Sequence, residues 1–247
     1  MSAWNIKEAD NRAADSIFTF IIFCEDEASE LIYLKYFETL RIKINLIPRQ
    51  KSSIESVINA INHCQVNGLL VADESGKESL QNCDTQVWCV FDRDRNEVNY
   101  DKDCIAFDES ITMAKSKGFG IAWSNDAFEL WILLHFESID PQVQANSHRN
   151  SYYNRLTEIF LTLHSNNQDL TRIQAEPIFQ YKTFLKSRKN FSNIVLKEIV
   201  NNISLAINRA ELLENFYKTT HSNHQKAPCT MMHHLVKELL LYGQKNV

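Results

Sequence analysis

Two groups of carboxylates stand directly behind apolar runs in this chain. Asp92-Arg93-Asp94 follows QVWCVF (86–91), and Glu25 follows IFTFIIFC (17–24). In extended backbone, residues two apart point the same way, so Asp92 and Asp94 are expected to converge on one hard cation. Mg²⁺ suits such a place, because it takes one or two carboxylates and fills its shell with water and phosphate oxygens. A D-x-D triplet also occurs in capped, solvated turns. Its position at the end of a hydrophobic strand is what favours the metal reading. Glu25 could serve as general acid or base, or as a further ligand. Equally, Glu25, Asp26, Glu27 and Glu30 could only complement the positive end of a helix dipole. Local sequence leaves that choice open.

A third polar group follows another apolar run. Ser124-Asn125-Asp126 comes after FGIAW (119–123) and opens AFELWILLHF (127–136). Ser124 or Asn125 suits a helix cap. Glu129 lies among apolar residues, so it is either exposed, paired or functional. Spacing alone makes His135 a hydrogen-bonded core or boundary histidine. The basic residues of 172–189 (Arg172, Lys182, Lys186, Arg188, Lys189) alternate with Phe179, Tyr181 and Phe184. A nucleic-acid surface would have this pattern, but an amphipathic helix with a solvated basic face explains it more simply. His221, His224, His233 and His234 read as surface residues. No tyrosine stands out as a nucleophile.

The elements that must position these groups alternate. Strands are expected at 17–24, 42–47, 86–91 and 119–123. Helices are expected after Glu25, after Ser52 or Ser53 (Ile54, Val57, Ile58, Ile61), over 102–117 with Gly118 ending it, and over 127–136. Residues 72–85 read as a surface loop. Such alternation predicts an α/β fold, Rossmann- or Toprim-like, with a mainly parallel sheet flanked by helices. Ligands of such sheets bind at the carboxyl ends of strands, where all three polar groups lie. From about residue 150 only helical spacing remains. The expected organisation is a flexible 1–16, an α/β domain over 17–140, and a helical region over 150–247 packed on it.

Composition excludes several classes. The chain has 247 residues and a net charge of −5. Duplex DNA binding usually draws on a basic excess, so a stand-alone DNA grip is disfavoured. The six cysteines form no C-x-x-C pair, which speaks against a zinc ribbon and for reduced, core-filling thiols. The polar start and the lack of a long apolar run predict a cytoplasmic protein without a membrane span. No G-x-x-x-x-G-K-[ST] loop is present, so the chain is not expected to hydrolyse ATP.

Taken together, the motifs resemble the RloB-like family of prokaryotic defence loci. One block is the first strand with Glu25, Ser29 and Glu30, followed by Tyr33 and Phe37. A second is VWCVFDRD (87–94). The most specific is Ser124, Asn125, Phe128, Glu129, Trp131, His135 and Phe136. A weaker match covers Pro228, Thr230, His233 and Val236. Three positions depart from the usual pattern: Asp26 stands for Gly, Ser29 for Thr and Asp126 for Pro. The resemblance implies a Toprim-like domain with Glu25 as acid or base and Asp92 and Asp94 as ligands of Mg²⁺ or Mn²⁺. Glu30 and Glu129 join the candidate catalytic set. Arg93 and Arg95 would touch nucleic-acid phosphates, while Ser124, Asn125 and His135 would support the site.

The implied activity is metal-dependent cleavage of RNA, tRNA among the candidates, or of DNA. It would act in anti-phage abortive infection beside an ABC-type or AAA-like partner ATPase, with homo-oligomerisation left open. The rival reading is a non-catalytic regulatory or docking subunit of that ATPase. A different phosphotransferase using the same acids is the third.

Overall fold

The computed structural model describes residues 17–81, 84–94 and 100–244. The expected flexible segment 1–16 and the candidate Arg95 lie outside the described residues. Strand β1 (Phe18–Cys24) is followed by helix α1 (Ser29–Lys35), β2 (Ile42–Ile47) and α2 (Ser53–Val66). Next come the short strands β3 (Leu70–Ala72) and β4 (Glu78–Leu80), then β5 (Thr85–Asp92), α3 (Tyr100–Ser116), β6 (Gly120–Asn125) and α4 (Glu129–Leu134). The rest is mostly helical: α5 (Arg149–Thr162), α6 (Gln168–Gln174), α7 (Tyr181–Phe184), α8 (Arg188–Asn190), α9 (Leu196–Ile199), α10 (Ile203–Phe216) and α11 (Met232–Gln244). A two-residue strand, β7 (Cys229–Thr230), precedes α11.

Five strands form one sheet in the order β2-β1-β5-β6-β7, parallel except for the antiparallel pair β6 and β7. Strands β1 and β5 are buried over most of their length. That is why they read as unbroken apolar runs and not as alternating ones. Both faces are covered. Phe18 stacks on Tyr242 of α11 and Phe20 meets the same ring edge-on, while Phe23 meets His63 of α2, and Phe91 and Trp123 meet Phe107 of α3. The fold is thus the mainly parallel, Rossmann/Toprim-like α/β arrangement that the alternation predicts. At Gly118, with φ of 76°, the chain leaves α3 in a left-handed turn that a side chain would strain. Ser52 caps α2 by accepting the Glu55 N–H at 3.3 Å.

Three expectations need correction. Residues 70–80 contain an antiparallel hairpin, because the turn around Asp73 and Gly76 closes on itself. The C-terminal half is not free of strands: β7 completes the sheet beside β6, and its two residues are too few for any periodicity to register. Lastly, 172–189 is not one amphipathic helix. It breaks into α6, α7 and the start of α8, and Phe179 and Tyr181 are in the core. Those aromatics are therefore not a stacking platform for bases. Five cysteines (Cys24, Cys64, Cys89, Cys104, Cys229) are free and buried, as core-filling thiols should be. Among the described residues, no helix is long and apolar enough to cross a membrane.

Candidate active site

Because β1, β5 and β6 run parallel, their carboxyl ends deliver side chains to one edge. The register sets Cys24 beside Val90 and Asp92 beside Ser124. Glu25, Asp92 and Asp94 line a single cleft of about 490 Å³, together with Lys51, Ser52, Ser53, Asp103, His148 and Arg149. The Asp92 N–H donates to the Glu25 carboxylate at 3.3 Å, which ties the two strand ends together.

Asp26 explains the acidic turn. Its carboxylate accepts the backbone N–H groups of Glu27, Ala28 and Ser29 at 2.6, 3.0 and 2.8 Å. Asp26 therefore holds the N–H groups at the entry to α1, where the N-cap residue Ala28 has no side-chain cap bond of its own. Glu30 turns back and accepts the Asp26 N–H at 3.2 Å, and it is buried.

Glu25, Glu30 and Asp92 have no cationic side chain in hydrogen-bond contact among the described residues. Burial, then the charges of Asp92 and Asp94, push Glu25 up to about 9. Asp92 is held well above the usual carboxylate range by burial, then by Glu30, Asp94 and Glu129. Glu30 is raised in the same direction by burial, then by Asp26 and Glu25. Carboxylates crowded in this way either keep protons or share a cation. The donor set is all oxygen, which fits a hard divalent ion such as Mg²⁺. Glu25 and Asp92 are the residues that would hold it, with Asp94 within reach of the same cleft.

Asp94 does not follow the strand geometry. Its φ of 47° puts it in the left-handed region, so the i, i+2 alternation expected of Asp92 and Asp94 is lost after Arg93. The Asp94 side chain instead forms an ion pair with Arg149, the first residue of α5. Arg149 also donates to the fully buried Asp126 through its backbone N–H, Nε and Nη2 at 3.1, 3.2 and 3.0 Å. This guanidinium bridges the D-x-D turn to the end of β6. Sequence reasoning missed it, since nothing local marks SHRN (147–150) as part of a site.

The remaining candidates fall into distinct places. Arg93 is buried. Its guanidinium donates to the His224 carbonyl at 2.8 Å and to Asn125 Oδ1 at 3.3 Å, and it lies over the Tyr100 ring. It fastens the C-terminal segment to the sheet and is not an exposed phosphate contact. Lys51 and Arg149 are the cations that line the cleft beside it. Ser124 bonds Thr230 at 3.0 Å, and Asn125 donates to the His224 carbonyl at 2.9 Å. Both therefore anchor the chain across β6 instead of capping a helix.

Glu129 is buried and paired with Lys186 at 2.7 Å. It still lies close enough to raise the proton affinity of Asp92 and Glu30. His135 is also buried. Its Nδ1–H donates to the Trp131 carbonyl at 2.8 Å, since a carbonyl can only accept, and Nε2 then accepts from the Tyr33 hydroxyl at 3.3 Å. Burial lowers its pKa to about 4. His135 is a neutral clip between α4 and α1, one turn from Glu30 on the latter.

Comparison with known proteins agrees with the motif blocks. A family model described as RloB-like protein matches residues 20–239. No curated protein and no solved structure matches the chain. The match spans both the strand ends that build the cleft and the C-terminal segment that fastens them, so the chain belongs to the RloB-like protein family.

Proposed function

We propose that this chain is a Mg²⁺-dependent nuclease whose cleft at the carboxyl ends of β1, β5 and β6 cuts phosphodiester bonds. The observation that carries this reading is the crowding of Glu25, Glu30 and Asp92 with no cation in hydrogen-bond contact among the described residues, beside a polar cleft that also holds Lys51 and Arg149. Unpaired buried acids in a cleft are costly for stability and common at functional sites. Glu25 and Asp92 would hold Mg²⁺ or Mn²⁺. Bound there, the ion would neutralise charge building up on the scissile phosphate. With the ion bound in place of its proton, Glu25 would be ionised and would accept a proton from the attacking water. Arg149 and Lys51 would orient the phosphate, helped by the N-terminus of α2, where Ser52 and Ser53 face the cleft.

The substrate would be RNA, tRNA among the candidates, or DNA. The acidic net charge favours a partner that supplies much of the nucleic-acid grip. An ABC-type or AAA-like ATPase in an anti-phage abortive-infection system fits that need. One observation favours the second reading, a non-catalytic subunit of such an ATPase: Asp94 is already engaged by Arg149 and is not free for a metal.

The test is cleavage of labelled tRNA and plasmid DNA with Mg²⁺ or Mn²⁺, with and without any ATPase found encoded beside this chain. Asp92→Ala and Glu25→Gln are expected to abolish metal-dependent cutting. If the folded wild type with its partner cuts neither, or if the variants cut as well as it does, the nuclease reading falls and the regulatory one stands.

A further inference from the structure

A second cluster of ligating groups lies away from the cleft. Among the described residues, Glu214, His233 and His234 are the group of three His, Cys, Asp or Glu residues whose ligand atoms all lie within 4.8 Å of one another. Glu214 sits in the last turns of α10, and the two histidines open α11. Nε2 of His233 is 2.9 Å from Glu214 Oε2, and Nε2 of His234 is 3.0 Å from the same oxygen. His234 lines a surface hollow with Gln86, Gly120 and Glu238, where β5 and β6 begin. None of the residues that line this hollow lines the cleft.

Hydrogen-bond bookkeeping at His233 is informative. The side chain is fully buried, although the sequence reading placed it on the surface. Its Nδ1 is 3.2 Å from the Thr230 carbonyl, which can only accept, so Nδ1 carries a proton. In the neutral ring, Nε2 then presents a lone pair to a carboxylate oxygen, two acceptors face to face. A cation between them removes that conflict. A backbone carbonyl on the far ring nitrogen is also the usual way that a ligating histidine is oriented. The His234 ring lies 4.1 Å from the His233 ring, centroid to centroid, so both imidazoles reach the same carboxylate. Glu214 and His234 are partly exposed, which leaves a path for the ion and room for a water ligand.

We infer that Glu214, His233 and His234 form a divalent transition-metal site, with Zn²⁺ as the ion, that pins α11 to α10. Two imidazoles and one carboxylate are a zinc donor set, with water as the fourth ligand, and imidazole selects against Mg²⁺. Tetrahedral bonds of zinc length put ligand atoms roughly 3.3 Å apart. The two nitrogen–oxygen spacings therefore need to open by only a few tenths of an ångström, and all three ligand atoms already lie within 4.8 Å of one another. Because α11 follows β7 directly, the ion would also hold the sheet's last strand. This site does not rest on the nuclease reading.

The full chain, stripped with chelator, would be dialysed against Zn²⁺ and its metal content measured. About one Zn²⁺ per chain is expected, with a rise in Tm, and binding about tenfold or more weaker in Glu214→Gln and His234→Ala. Both changes are at partly exposed positions, so the variants should fold. Asp92→Asn should keep its zinc, which separates this site from the cleft. Co²⁺ in place of Zn²⁺ should give visible d–d absorption without a thiolate charge-transfer band. Equal zinc retention by the two variants, zinc loss in Asp92→Asn, a thiolate band, or no zinc on the wild type would each overturn the assignment.

Discussion

The acids Glu25, Glu30 and Asp92 at the ends of β1 and β5, and those where α4 meets the helical half, are treated differently. Where the helical half packs against α4, buried Glu129 meets Lys186, and half-buried Glu137 is bracketed by Arg155. At the sheet edge, Glu25, Glu30 and Asp92 crowd one another, and their proton affinities rise together. Pairing is what a chain does when an acid serves the fold. Leaving acids unpaired in a polar cleft costs stability and makes sense only where something positive is to be bound. On the proposed nuclease reading, the difference separates the acids that hold the molecule from the acids that would act.

That contrast can be broken most sharply at Asp92. Asp92→Asn should reduce metal-dependent cleavage by about 10²–10³-fold, yet raise the Tm of the metal-free protein by relieving like-charge repulsion. A variant that loses stability instead would place Asp92 among the structural acids. The next effect has the reverse sign. Lys186→Met leaves the Glu129 carboxylate buried without its partner and should cost about 2–3 kcal/mol in urea unfolding, somewhat below the loss for fully buried pairs because Lys186 is partly exposed. Glu30→Gln should be neutral or stabilising in the same assay.

The pH dependence follows from Glu25. Its pKa in the folded protein is raised to about 9, above that of the unfolded chain. The folded state therefore binds more protons between about pH 4.5 and 9, and stability contributed by this group falls as pH rises through that window. Glu25→Gln should flatten the slope, and saturating Mg²⁺ should do so in the wild type. A slope unchanged by either would show that the crowding is not felt. The smallest change is at the cap: Asp26→Ala should cost about 1 kcal/mol, measured by chemical denaturation.

Much of this could be read from the chain before folding was considered. Strands β1, β5 and β6 were legible because a parallel strand covered on both faces is a continuous apolar run. The acids Glu25 and Asp92 were legible because they end such runs. What escaped was set by tertiary contact. Arg149 reaches Asp94 and Asp126 from the start of a helix that no motif marks. The left-handed φ of Asp94 undoes an alternation that the sequence alone implies. Arg93 looked like a phosphate contact because neighbouring charge is all that sequence displays, and its burial comes from His224, 131 residues away. Lys186 was read as part of a solvated face, since its partner Glu129 lies on another helix.

Strand β7 carries a consequence for the order of synthesis. Ser124 waits for Thr230, 106 residues later, and Arg93 and Asn125 wait for the His224 carbonyl. On the ribosome, the carboxylate-bearing strands emerge long before the segment that locks their ends. Until then, the edge of β6 is open and the D-x-D turn lacks its anchor. A growing chain thus holds its acids in an unfinished frame, and the cleft acquires its final shape only after the segment from His224 to Thr230 has been made.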